Sequence, residues 1–164
     1  MTTESKAQVK ELIQDFVLIL YDIPAKERKL RSKFLKDAHE MGAEQYTESV
    51  YLLPYSTEAI KMADALESAG HAVVFSAQPY NTAKTMEINA KYSDGIKNRC
   101  MAIEQRLVIV QEYIKQGWLG RAQKMGIKTG KLLSELVKIN ENYEPGWLKP
   151  KIEELISKWK AVHE

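Results

Sequence analysis

The 164 residues, 45% hydrophobic and 28% charged, suffice for one full core with room for a helical extension, and predict a soluble globular protein. Its 24 basic and 22 acidic residues leave a net charge of only +2, which excludes a global pull toward nucleic acid or anionic membrane, so any electrostatic footprint must be local. A single cysteine, Cys100, excludes an internal disulfide and a CxxC metal or redox site and fits a cytoplasmic location, while the longest apolar run, Phe16 to Tyr21, is far below the roughly 18 residues of a bilayer span.

Residues 1 to 8 are polar, and Val9, Leu12 and Ile13 predict a short helical turn. Residues 16 to 22 lack alternation, with an apolar run from Phe16 to Tyr21, which predicts a central strand, stopped by Asp22 and Pro24. Pro24 suits the first turn of a helix, and Leu30, Phe34, Leu35, Ala38 and Met41 follow at helical spacing until Gly42. That helix exposes Lys26, Arg28, Lys29, Arg31, Lys33 and Lys36, six cations within 11 residues. A solvated helix face accounts for such a cluster; contact with a phosphate backbone also needs one, without gaining sequence specificity from it.

Ala43 to Thr47 and Ser49 to Leu53 predict two short strands with a bend or bulge around Glu48, closed by Pro54. Ser56 is a candidate N-cap for a helix carrying Ile60, Ala63 and Leu66 and ending at Gly70, and His71 to Ala77 predicts a last strand. The order strand, helix, strand, strand, helix, strand predicts an α+β fold: a ferredoxin-like βαββαβ domain over residues 1–80, followed by a helical extension over 81–164.

From Thr82 to about Gln116 the pattern is helical, with Ile96, Cys100, Ile103, Leu107, Val110 and Ile114 forming a heptad seam. The seam could cover the open sheet face, another helix of the chain or a second subunit, and Cys100 on it reads as a packing residue. Gly117, Gly120, Gly126 and Gly130, interleaved with Arg121, Lys124 and Lys128, predict a loop with one helical turn. GIKTGKL is not a phosphate-binding loop, because three residues rather than four separate Gly126 from Gly130 and Leu132 stands where Ser or Thr is required. Helices over 131–142 and 148–163, joined by Glu144-Pro145-Gly146, predict a hairpin.

The sequence Leu20-Tyr21-Asp22-Ile23-Pro24, a basic helix, Gly42 and Ser49-Val50-Tyr51 resembles the small second protein of the CRISPR adaptation machinery and the C-terminal domain of PaaX-type repressors. Gly42-Ala43 and Val50-Tyr51-Leu52-Leu53-Pro54 resemble more closely the N-terminal domain of ChrB, the chromate-resistance regulator. Leu136-Val137-Lys138-Ile139, the turn at 144–146 and the last helix resemble the tail of that family, whose further C-terminal domain is absent here.

Resemblance to the CRISPR-associated proteins implies that Asp22, paired across two subunits, could hold magnesium or manganese for phosphodiester cleavage. The plainer reading of Asp22 is strand termination and capping of the helix after Pro24. His39 and His71 have no metal-ligand spacing to Asp22 and read as surface or edge residues.

The reading adopted is a non-catalytic regulatory or adaptor protein without a cofactor, forming a homodimer through its sheet edge or open face. Resemblance to ChrB implies transcriptional regulation, with chromate or another oxyanion as effector. Lys26, Arg28, Lys29, Arg31, Lys33, Lys36, Arg121 and Lys124 are the candidate nucleic-acid or anion contacts. Two alternatives stand beside it: a metal-dependent nuclease with paired Asp22 residues, and a partner-binding module using the heptad seam, with an exposed apolar groove between the long helix and the C-terminal hairpin.

Overall fold

A computed structural model describes residues 12–143 and 145–163 of the protein. The unbroken apolar run becomes β1 (Phe16–Tyr21), which pairs antiparallel with β3 (Val50–Pro54) on one side and β4 (Ala72–Ala77) on the other. With β2 (Glu44–Thr47) beyond β3, the order is β2-β3-β1-β4, and the β2/β3 register shifts between Gln45 and Thr47. Helices α1 (Arg28–Glu40) and α2 (Thr57–Ser68) make the two crossovers, so the unit is the ferredoxin-like βαββαβ arrangement expected from the sequence.

Coverage of one face, and of the Phe16 end of the other, explains the missing alternation in β1. Val17, Ile19 and Tyr21 pack beneath the two helices against Phe34, Ala38, Ala63 and Leu66, while Phe16 faces the other way toward Leu52, Ile88 and Tyr92. The Ser56 hydroxyl accepts from the Ala59 amide at 3.1 Å and caps α2 as expected. Gly42, Gly70 and Gly117 follow the ends of three helices at φ of 77°, 75° and 74°, a conformation that glycine adopts without steric cost.

The long helix α3 (Thr82–Lys115) starts over the Phe16 end of the second sheet face, where the Tyr92 hydroxyl donates to the Leu52 carbonyl. Asn89, buried in the same place, accepts from the Ile13 amide at 2.8 Å and donates to the Ile13 carbonyl at 3.0 Å. Those bonds correct the helical turn expected there: Val9 lies outside the described residues, and Leu12 and Ile13 are not helical, because the Asn89 amide satisfies Ile13 from outside the segment.

Contacts divide the chain into two compact units between Ser93 and Asp94, with α3 contributing to both. In the second unit α3 joins α4 (Leu119–Asn142) and α5 (Leu148–His163). Ile96, Cys100, Ile103 and Leu107 of the heptad seam pack against Leu133, Leu136, Ile139, Leu148, Ile152 and Leu155, and Val110 is buried as well. The seam is therefore consumed inside the chain down to Val110, which removes the apolar groove that a partner module would present there.

The loop expected over the four glycines is not a loop; only Gly117 breaks the chain, and α4 begins at Leu119. Gly126 and Gly130 lie one turn apart on a helix face that α5 approaches closely: a Cβ on Gly130 would stand 3.2 Å from Cζ2 of Trp159, and the Trp159 indole N–H donates to the Gly126 carbonyl at 3.2 Å. Glycine here makes room for an indole rather than a turn.

Candidate nucleic-acid interface

Pro24 ends the reach of β1 and opens a single 3-10 turn, Ala25–Glu27, which leads directly into α1. Phe34 and Ala38 bury the inner stripe of α1, with Phe34 edge-on to Tyr51 at 5.5 Å between ring centroids. Burial pushes the Tyr51 phenol up, Tyr21 adding to the shift and the charge of Arg31 opposing it.

Because the inner stripe fixes the helix, the other side chains face water: Lys26, Arg28, Lys29, Arg31, Lys33 and Lys36 are all exposed. Six of the nine lysines and arginines between residues 12 and 93 fall in this one segment. The ion pair of Lys36 with Glu40, at 3.8 Å, is largely exposed and contributes at most about 0.5 kcal/mol, so it does little to hold that cation from a ligand. Arg121 and Lys124 belong to the other unit, where both are exposed on α4.

Asp22 terminates β1, as expected, with its backbone amide donating to the His71 carbonyl at 2.8 Å. It caps nothing, which corrects the second half of the plainer reading: the N-cap positions are Pro24 for the 3-10 turn and Glu27 for α1, and neither start has a side-chain cap. The exposed carboxylate takes no hydrogen bond or ion pair among the described residues. It borders an open depression of about 390 Å³, lined also by Leu20, Ser49, Val50 and His71.

His71 is half-buried, its Nε2 2.9 Å from the Glu27 carboxylate, which ties the start of β4 to the start of α1. His39 is an exposed residue of α1. Among the described residues no three His, Cys, Asp or Glu side chains are placed to share a metal ion. Asp22 thus offers a single carboxylate per chain, whereas magnesium is commonly held by one or two carboxylates together with waters and substrate phosphates.

The contacts that sequence reasoning missed are the long-range polar ones, Asn89 to Ile13 and His71 to Glu27. Asn89 did carry a signal, as an amide in register with Ile88 and Tyr92 at the start of an otherwise apolar face.

Residues 10–89 match the family model described as the PaaX protein central Cas2-like domain. The βαββαβ unit is PaaX/Cas2-like. This match covers just under half of the chain and stops before most of the helical unit. Neither a curated protein nor a solved structure matches the chain significantly. Among the described residues no helix is long and apolar enough to cross a membrane.

Proposed function

We propose that the protein is a non-catalytic, cytoplasmic regulatory or adaptor protein whose PaaX/Cas2-like unit meets nucleic-acid phosphates through the outer face of α1. The observation that carries this reading is the charge asymmetry of that unit, with six of its nine described lysines and arginines exposed on one 11-residue segment. Leu20, Val73 and Phe75, exposed side by side on the uncovered part of the sheet, support pairing of two copies through that face. The resemblance to ChrB at Gly42-Ala43 and Val50 to Pro54 supports transcriptional control with an oxyanion such as chromate as effector.

Anisotropy of a labelled DNA duplex tests the α1 surface. Six phosphate contacts would cost about a thousandfold in affinity between 50 and 200 mM salt. Replacing Lys26, Arg28 and Lys29 with Glu should weaken binding at low salt and reduce its salt dependence; undetectable binding by the parent chain, or binding indifferent to these changes, would sink the proposal.

A metal-dependent nuclease has one observation in its favour, the unengaged Asp22 carboxylate at the mouth of an open depression. It requires a second Asp22 from another copy within a few ångströms of one shared ion.

A further inference from the structure

From residue 113 to residue 134 the chain contains five lysines and arginines and no aspartate or glutamate. The segment gains meaning from the helical structure of α4, because Arg121, Lys124, Lys128, Lys131 and Lys138 step by 3, 4, 3 and 7 residues and so share one face. All five are exposed, opposite the buried face formed by Ala122, Gly126, Thr129, Leu133 and Leu136. At 1.5 Å per residue the stripe runs about 26 Å along the helix.

The cations of this stripe outnumber the acids near it. Glu135 is in register with it but is 8% exposed, and Glu141 lies in the last turn. Neither Lys124, Lys128 nor Lys138 has a carboxylate partner among the described residues. Arg121 stacks on Trp118, its guanidinium carbon 4.8 Å from the ring centroid, which holds one end of the stripe in place.

We infer that α4 is a second phosphate-backbone track, so that the helical unit binds nucleic acid independently of α1. Charge complementarity selects a polyanion, and the rest of the helix selects its kind. A membrane-surface helix needs its apolar face for lipid, but Leu133, Leu136 and Ile139 of α4 are already buried in the three-helix core. A lone tryptophan is no stacking platform for successive bases, whereas five cations in line match a repeating phosphate chain. The contact is sequence-independent and follows the backbone of a duplex. This inference rests on the nucleic-acid reading above and extends it to a different surface.

The test uses the full chain, a labelled DNA duplex and a salt series, comparing the parent with K124Q/K128Q/K138Q and, in parallel, K26E/R28E/K29E. Loss of three lysines from the track should lower the slope of log affinity against log salt by about three. These side chains are exposed, so the circular dichroism spectrum should not change; should the triple variant lose helix, K124Q/K128Q with a slope lowered by about two serves instead. An unchanged slope overturns the inference while leaving the α1 proposal standing if K26E/R28E/K29E weakens binding. A lowered slope with a neutral α1 variant upholds the track and removes α1. Binding to phosphatidylserine vesicles with none to DNA overturns both.

Discussion

Asn89→Ala removes the clamp between the segment preceding β1 and the start of α3. In the parent the Asn89 amide makes three bonds, accepting from Ile13 N at 2.8 Å and donating to Ile13 O at 3.0 Å and Thr85 O at 2.8 Å. Truncation strands both backbone groups of Ile13, each worth about 1 kcal/mol in a half-buried position that water reaches in part. Vacating a side chain that is 3% exposed adds a packing loss, which alanine's better helix propensity, about 0.5 kcal/mol, offsets. The net expectation is a loss of about 2 kcal/mol, or a fall in Tm of about 4–8 °C for a chain of this size. Urea and thermal melts measure the total, and hydrogen exchange at the Ile13 amide locates it, since that amide should become much faster than its neighbours in β1. Asn89→Asp should also destabilise at neutral pH, because a second acceptor oxygen then faces the two carbonyls. Protonation restores a donor, so the aspartate's folded pKa is raised and the deficit shrinks as pH falls through it. A melt of Asn89→Ala within about 0.5 kcal/mol of the parent, or unchanged exchange at Ile13, would refute the clamp.

Gly130→Leu should cost about 1–3 kcal/mol by driving a side chain into Trp159, 3.2 Å from the Cβ position, whereas Gly120→Ala, with nothing within 4 Å, should be neutral or stabilise by up to about 1 kcal/mol; paired urea melts read both. The Cys100 thiol, pushed above its ordinary range chiefly by burial, should react with a disulfide reagent at pH 8 only as fast as the second unit opens, and at once in denaturant. Glu104 on α3 is held below the usual carboxylate range chiefly by its hydrogen bond from Lys151 on α5, at 2.7 Å. A carboxylate with a depressed folded pKa contributes stability above its unfolded pKa and loses it as pH falls through the folded value, so Lys151→Met should flatten the acid-side decline in a pH series of melts.

The sheet unit was legible because its signals are local. The run from Phe16 to Tyr21, the Ser56 cap and the glycines after α1 and α2 each settle a few residues without help from elsewhere. The glycine-rich stretch was misread because a helix glycine that admits Trp159 and a loop glycine are the same letter, and what separates them is a partner 29 residues away. Asp22 was placed correctly at the end of β1, but its lack of a capping role depends on how Pro24 starts a 3-10 turn, which spacing does not reveal. The six cations of α1 were legible as a cluster; on α4 Arg121 and Lys124 were legible as candidates, but their alignment with Lys128, Lys131 and Lys138 follows only once the segment is known to be helical.

The PaaX/Cas2-like unit is expected to bind nucleic acid without cleaving it. Incubating the parent chain and Asp22→Ala with single- and double-stranded DNA and RNA, in magnesium or manganese, and resolving binding and products from the same samples, tests this most directly. Salt-sensitive binding, intact substrate and no difference between the two proteins are expected; products that form with the parent and vanish with Asp22→Ala would establish Asp22-dependent cleavage instead.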